Sequence, residues 1–228
     1  FGLEKWGTNE QKEKYLRPLA MGQKLGAFAL SEPEAGSDAT DQKSVAELKG
    51  DFYYLNGMKN WITNGTKADY YLLQAVTDKS KGYKGISTFI IEKDFEGFEI
   101  GKKEDKLGIR SSDTCSIGLN NCKVPKENLL GTEGLGFKIA MDTLNGGRIG
   151  IASQALGIAQ ASYEAAVKYS KERKAFDAPI AHLQAIQFKL ADMAVNIEAS
   201  RMLIYKAALL KDSNEKYIKE AAMAKLFA

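Results

Sequence analysis

Phe52-Tyr53-Tyr54-Leu55-Asn56-Gly57 and, three residues on, Trp61-Ile62-Thr63-Asn64-Gly65 read as short strands, each closed by a tight turn. Aromatic and β-branched side chains suit a pleated, half-buried surface, and Asn-Gly supplies the positive φ angles a tight turn needs. The same period-two pattern recurs on both sides. Leu25 to Leu30, Lys43 to Leu48, Asp69 to Val76, Gly85 to Ile91 and Thr114 to Leu119 are all short and strand-like. Six or more such strands predict an all-β barrel or sandwich over residues 24–130.

The flanks read as helix. Thr8-Asn9-Glu10-Gln11 fits a capping box, with a helix running to about Ala20 and Gly22 placed to end it. A second helical zone begins near Glu133. Its first helix, about Leu135 to Lys171, is rich in Gly, Ala and Ser, which lets helix backbones approach closely. Ala178-Pro179 breaks the chain. Ile186, Leu190, Met193, Ile197 and Ile204 then step along one apolar stripe, until Asp212-Ser213-Asn214 breaks it again before Glu215 to Ala228. The expected class is α+β in three parts: the tail of an N-terminal helical domain (1–23), a middle β-barrel or sandwich domain (24–130), and the first long helices of an incomplete C-terminal bundle (131–228). A start at Phe1 and a helical end without a stop signal suggest an internal piece of a longer chain.

Composition narrows the function. Charge is +3, with basic residues dispersed among acidic ones, whereas a nucleic-acid binder gathers them on one face. The densest run, Lys102-Lys103-Glu104-Asp105-Lys106, is mixed in sign and reads as a solvated turn. No apolar run reaches the length of a membrane span, so no membrane insertion is expected. Cys115, Cys122 and the single His182 do not make a metal site, and no metal is expected. Both cysteines read as buried free thiols, which favours a reducing compartment over a secreted one.

No G-x-G-x-x-G follows a strand, and there is no P-loop and no G-x-S-x-G elbow. Gly131, Gly134 and Gly136 are wrongly spaced for a dinucleotide fingerprint. Two segments stand out instead. Phe28-Ala29-Leu30-Ser31-Glu32-Pro33-Glu34-Ala35-Gly36-Ser37-Asp38 runs from a strand into a Pro/Gly loop that presents hydroxyls and free amides. In Trp61-Ile62-Thr63-Asn64-Gly65, Trp61 and Thr63 share a strand face. That pairing can lay an indole on a flat heterocycle while a hydroxyl bonds its ring nitrogen. Read alone, Trp61 is better taken as an ordinary core residue beside a hairpin, and the alternative for Ser37 and Asp38 is that they are turn formers.

In this order and separation the segments resemble the acyl-CoA dehydrogenase family. The resemblance continues through Gly108-Ile109-Arg110-Ser111-Ser112, Val124-Pro125-Lys126-Glu127-Asn128-Leu129-Leu130-Gly131, Arg148-Ile149-Gly150-Ile151-Ala152 and Glu172-Arg173-Lys174-Ala175-Phe176. It closes with Gln184-Ala185-Ile186-Gln187-Phe188-Lys189-Leu190-Ala191-Asp192-Met193 and is nearest the short-chain, butyryl-CoA branch. It implies FAD as cofactor. Phe28 and Leu30 would line the flavin through their backbones and Ser31, often Thr in relatives, would bond the isoalloxazine. Trp61 would cover a flavin face and Thr63 would bond near N5. Arg173, Phe176 and Gln184 would reach the adenosine diphosphate of FAD in a dimer partner, in a homodimer or homotetramer. Ser37, Asn145 and Arg148 would lie along the substrate. Asp177 replaces a frequent Gly, and Asn145 a frequent Asp.

The implied reaction is α,β-dehydrogenation of a short-chain acyl-CoA to the trans-2-enoyl-CoA. A carboxylate takes the α-proton, hydride leaves for flavin N5, and electrons pass to an electron-transfer flavoprotein. The position before Arg148, which holds the base in one branch, is Gly147 here. No catalytic residue is therefore expected in this chain, the base lying beyond Ala228, and residues 1–228 alone should not turn over. The competing readings are an oxidase-like flavoprotein and a non-catalytic scaffold or nucleic-acid-associated relative.

Overall fold

The computed structural model describes all residues, Phe1–Ala228, in two compact units, Phe1–Asp142 and Thr143–Ala228. The class is α+β: a sheet with short helices, then long helices.

The first unit opens with α1 (Gly2–Trp6) and α2 (Asn9–Gln11), a π-turn over Lys12–Leu16, and α3 (Arg17–Ala20). The capping box at Thr8 forms in full: the Gln11 amide donates to the Thr8 hydroxyl, and the Thr8 amide donates to the Gln11 side chain. Gly22, at φ 68°, follows the helix end. Leu3 and Tyr15 bury their side chains with Ile90, Leu130 and Ile139.

Eight strands make one sheet: β1 (Gly26–Ala29), β2 (Val45–Lys49), β3 (Phe52–Thr63), β4 (Tyr70–Val76), β5 (Ile86–Glu92), β6 (Phe98–Lys103), β7 (Thr114–Pro125) and β8 (Leu129–Leu130). Their order is β6-β7-β3-β2-β4-β5-β8, with β1 parallel to β4. Val45 pairs with Asn56 on one side and Val76 on the other, which makes β2 the bend between two arms. The arms close over one core, where Tyr53 stacks edge-on to Phe89 at 4.9 Å and Tyr71 lies 4.6 Å from Phe98. Leu55, Ile62, Leu73, Ile91, Ile117 and both cysteines fill the rest. Burial pushes the Cys122 thiol up to about 12.

Three sequence expectations need correction. Asn56-Gly57 is not a turn but the middle of β3. Its signal was displaced onto the partner strand, where β7 carries an extra residue between Leu119 and Cys122; Asn121 takes φ 49° and its amide donates to the Asn56 side chain at 2.8 Å. Gly57 serves a close approach instead, since a Cβ there would lie 2.7 Å from the Ser44 Cα. The strand β6 had no alternation strong enough to find it. It absorbs Lys102 and Lys103 from the supposed solvated turn, while Lys106 donates to the Ser112 carbonyl at 2.7 Å and the Thr114 hydroxyl.

Helix α4 (Gly136–Glu172) carries the chain into the second unit, followed by the β9 (Lys174–Ala175) and β10 (Ala178–Pro179) hairpin, α5 (Gln184–Asp212) and α6 (Ile218–Phe227). Fully buried Ala207, Ala221 and Ala224 let helices approach closely. Of the expected stripe, Ile197 and Ile204 are buried whereas Ile186, Leu190 and Met193 are only partly so, because the second unit's core gathers toward the C-terminal half of α5. No helix is long and apolar enough to cross a membrane. Gly57→Ala, which combines that Cβ clash with a φ of 146°, is expected to destabilise the full-length protein by about 2 kcal/mol or more in a denaturant titration.

Candidate functional site

The site in the first unit is built where β1 runs out beside the end of β3. Tyr53, Leu55 and, past the exposed Gly57, Lys59 take inward steps of β3, so strict alternation would send Trp61 into the core as well. It does not go there. Between Lys59 and Ile62 the strand gains one residue relative to β7, and Trp61 takes φ 60°. This bulge puts Ile62 inside at 2% exposure and turns Trp61 out at 63%. Thr63, two residues on, is exposed too. Asn64, at φ 62°, begins the turn that ends the strand, and its amide donates to the Asp113 carbonyl at 2.9 Å.

The Ser31 carbonyl accepts from the Asn60 amide at 2.9 Å, which sets Ser31 next to the bulge. Phe28 is half-buried, Leu30 buried and Ser31 partly exposed, and Ser37 lies on the exposed loop beyond. The hydroxyls of Ser31 and Thr63 bond to nothing in the chain.

Under this surface is a charged pair that the sequence reading missed. Lys59 is wholly buried, and its Nζ donates to Glu32 Oε1 at 2.7 Å, Gln42 Oε1 at 3.2 Å and the Leu30 carbonyl at 3.3 Å. Glu32 also accepts from the amides of Lys43 at 2.5 Å and Ser44 at 3.1 Å. Burial pulls the Lys59 pKa down, while Glu32 opposes the fall. Burial would raise the Glu32 pKa, but the Lys59 charge and these donors hold it below the usual carboxylate range. The signal was available: a lysine on an inward step, in phase with Leu55, needs a buried partner.

In the second unit Asn145 is buried on α4 and accepts from the Arg148 guanidinium one turn on. Gly147 lies exposed, with open space where a side chain would start. Arg173 and Gln184 are exposed at either side of the β9–β10 hairpin. Its two-residue turn is Phe176-Asp177, at φ 55° and 60°, the pattern of a type I′ turn. Asp tolerates that conformation as Gly does, which gives Asp177 a backbone reason to stand there. Phe176 is held at 89% exposure in a conformation a bulky residue avoids. His182 ends a 3₁₀ turn, and no cluster of His, Cys, Asp or Glu is placed to hold a metal ion.

The first unit thus presents an outward aromatic ring held by a strained bulge, with the exposed Thr63 two residues on. Comparison with known proteins identifies its β-domain. Residues 27–122 match the acyl-CoA dehydrogenase middle domain, and residues 134–228 match the acyl-CoA dehydrogenase C-terminal domain. The mitochondrial short-chain specific acyl-CoA dehydrogenase of Rattus norvegicus is 54% identical over 224 residues, 98% of this chain and 54% of that protein. The solved butyryl-CoA dehydrogenase of Megasphaera elsdenii superposes with TM-score 0.97 at 53% identity, covering 99% of this chain and 59% of its own. A chain in the structure described as "Electron transferring flavoprotein of Acidaminococcus fermentans: Towards a mechanism of flavin-based electron bifurcation" reaches 0.98 at 57%, covering 99% and 60%. The chain belongs to the acyl-CoA dehydrogenase family and spans a little over half the length of these relatives.

The cost of turning Trp61 outward is measurable. Trp61→Asn, which accepts a positive φ, is expected to raise the unfolding free energy of the flavin-free protein by about 1 kcal/mol. A loss of stability in that titration would show that the bulge is not strained.

Proposed function

We propose that the chain is the flavin-facing and substrate-facing part of an FAD-dependent dehydrogenase that converts a short-chain acyl-CoA to its trans-2-enoyl-CoA. The observation that supports this reading is the bulge at Trp61, which holds the indole in solvent at the cost of backbone strain, with Thr63 exposed two residues on and the Ser31 carbonyl bonded to the neighbouring Asn60 amide. Those groups fit a flat, hydrogen-bonding heterocycle. FAD, when bound, supplies the acceptor for the electron pair lost from the Cα–Cβ bond.

The chain's own residues have separable tasks. Trp61 covers the heterocycle and excludes water, Thr63 and Ser31 donate hydrogen bonds to its edge, and Phe28 and Leu30 complete the wall. Ser37, Asn145 and Arg148 bind the acyl-CoA. Arg173, Phe176 and Gln184 hold the adenosine diphosphate portion of FAD carried by a second copy in a homodimer or homotetramer. An arginine fork suits pyrophosphate oxygens, and the exposed Phe176 suits a partner's ligand. Gly147 offers no carboxylate at the position that holds the base in one branch of the family, and by that resemblance the carboxylate that accepts the α-proton comes from outside residues 1–228. Electrons then pass to an electron-transfer flavoprotein, and the setting is the cytoplasm in a bacterium or the mitochondrial matrix in a eukaryote, the latter in keeping with the name of the rat relative.

The test uses the full-length protein. Anaerobic butyryl-CoA is expected to bleach a flavin band near about 450 nm. A bound flavin left oxidised would refute the substrate class, and the absence of flavin would refute the cofactor. Thr63→Val is expected to slow that bleaching about tenfold, since one hydrogen bond near the reacting edge is worth roughly 1.4 kcal/mol. Stopped-flow at saturating butyryl-CoA reads the rate.

A further inference from the structure

We propose that Glu32 and Lys59 form a positioning pair, which sets the orientation of the Trp61 ring and the height of the Ser31 loop against the cofactor. This rests on the flavin reading above. The pair joins the only chain segments that build that surface in the first unit. Lys59 stands two residues before Trp61, and its three ammonium hydrogens are spent on Leu30 at the exit of β1, on Glu32 at the start of the loop and on Gln42 at its end. An ammonium has no further donor to give. Glu32 directly follows Ser31, and its carboxylate takes the amides of Lys43 and Ser44 where the chain enters β2. One buried contact therefore pins both ends of the loop to the strand that carries Trp61.

Between those ends the loop has little other anchorage. Pro33, Glu34, Gly36, Ser37 and Asp38 are exposed, and Asp38 bonds only locally, to Thr40 and the Asp41 amide. Ala35 is buried, and its backbone bonds only back to Glu32. The Ser31 carbonyl and the Asn60 amide lie at 2.9 Å, immediately beside the pair, so a shift of either charged residue moves Ser31 and the bulge together. A pair kept for stability alone could sit anywhere in the sheet. This one is the only ion pair in the chain with both partners buried, at 0% and 2%, and it lies under the surface that carries the exposed ring.

The experiment uses the full-length holoenzyme with Glu32→Gln, Lys59→Met and the double variant Glu32→Met/Lys59→Met. Thermal midpoint, FAD dissociation constant, the shape of the visible flavin spectrum and the flavin midpoint potential are measured for each. Each single variant is expected to weaken FAD at least tenfold. In the double variant no charge is left buried, so its thermal midpoint should return toward wild type, while FAD affinity stays at least tenfold down and the potential stays shifted. A stable double variant with FAD affinity within twofold of wild type and an unchanged potential would overturn the proposal, leaving the pair a purely structural one. If the single variants do not fold, the double variant decides alone. Wild-type protein without flavin refutes the flavin reading itself, and that is known before any variant is compared.

Discussion

A lysine sealed inside a β-domain is the constraint around which the rest of the first unit is arranged. Charge burial costs several kcal/mol per ion unless the geometry returns it through pairing and hydrogen bonds. Glu32, Gln42 and the Leu30 carbonyl provide that return, from the two ends of the loop between β1 and β2. β1, the loop after it, the start of β2 and β3 must therefore be in place together. Apolar residues of matching volume often stabilise a protein as well as such a pair or better, by roughly 1–4 kcal/mol. What apolar residues do not offer is direction: a saturated ammonium admits one arrangement of its acceptors.

Two bulges on one ladder then divide the work. The extra residue in β7 at Asn120-Asn121 lets β3 run on through Asn56-Gly57, and the extra residue in β3 at Asn60-Trp61 reverses which side chains face the core. Without the second, Trp61 would point inward and Ile62 outward. The surface would then lose its ring, and the core would have to house an indole. Strain at Trp61 and burial of charge at Lys59 lie two residues apart. Each opposes folding locally and is held by the surrounding sheet, which is where departures from local consistency are expected in a functional protein.

The second unit shows the same economy with different means. Its helices pack through alanines together with Leu156, Ile197 and Ile204, and the break at Ala178-Pro179 proves to be a hairpin whose two turn residues both sit at positive φ. Holding Phe176 in that turn and in water is unfavourable twice over, and a ligand or a second copy that covers the ring removes at least the second penalty.

Much was legible in the residues alone. The capping box at Thr8, most of the strands, the two long helices and their breaks follow from hydrogen-bonding needs and side-chain periodicity within a few residues, and such signals survive in one dimension. The ordered motifs from Phe28 to Met193 also carried the family resemblance. What the residues did not decide was pairing. Whether Asn56-Gly57 turns or continues depends on an extra residue sixty-odd positions away in β7, and β6 forms because β7 offers an edge, not because its own pattern demands a strand. Likewise Trp61 faces out only because β3 and β7 differ by one residue across the bulge, and Lys59 is tolerable inside only because Glu32 reaches it. Local chemistry is written in neighbouring residues; register and the partners of buried charge are relations between distant ones, and only the folded chain settles them.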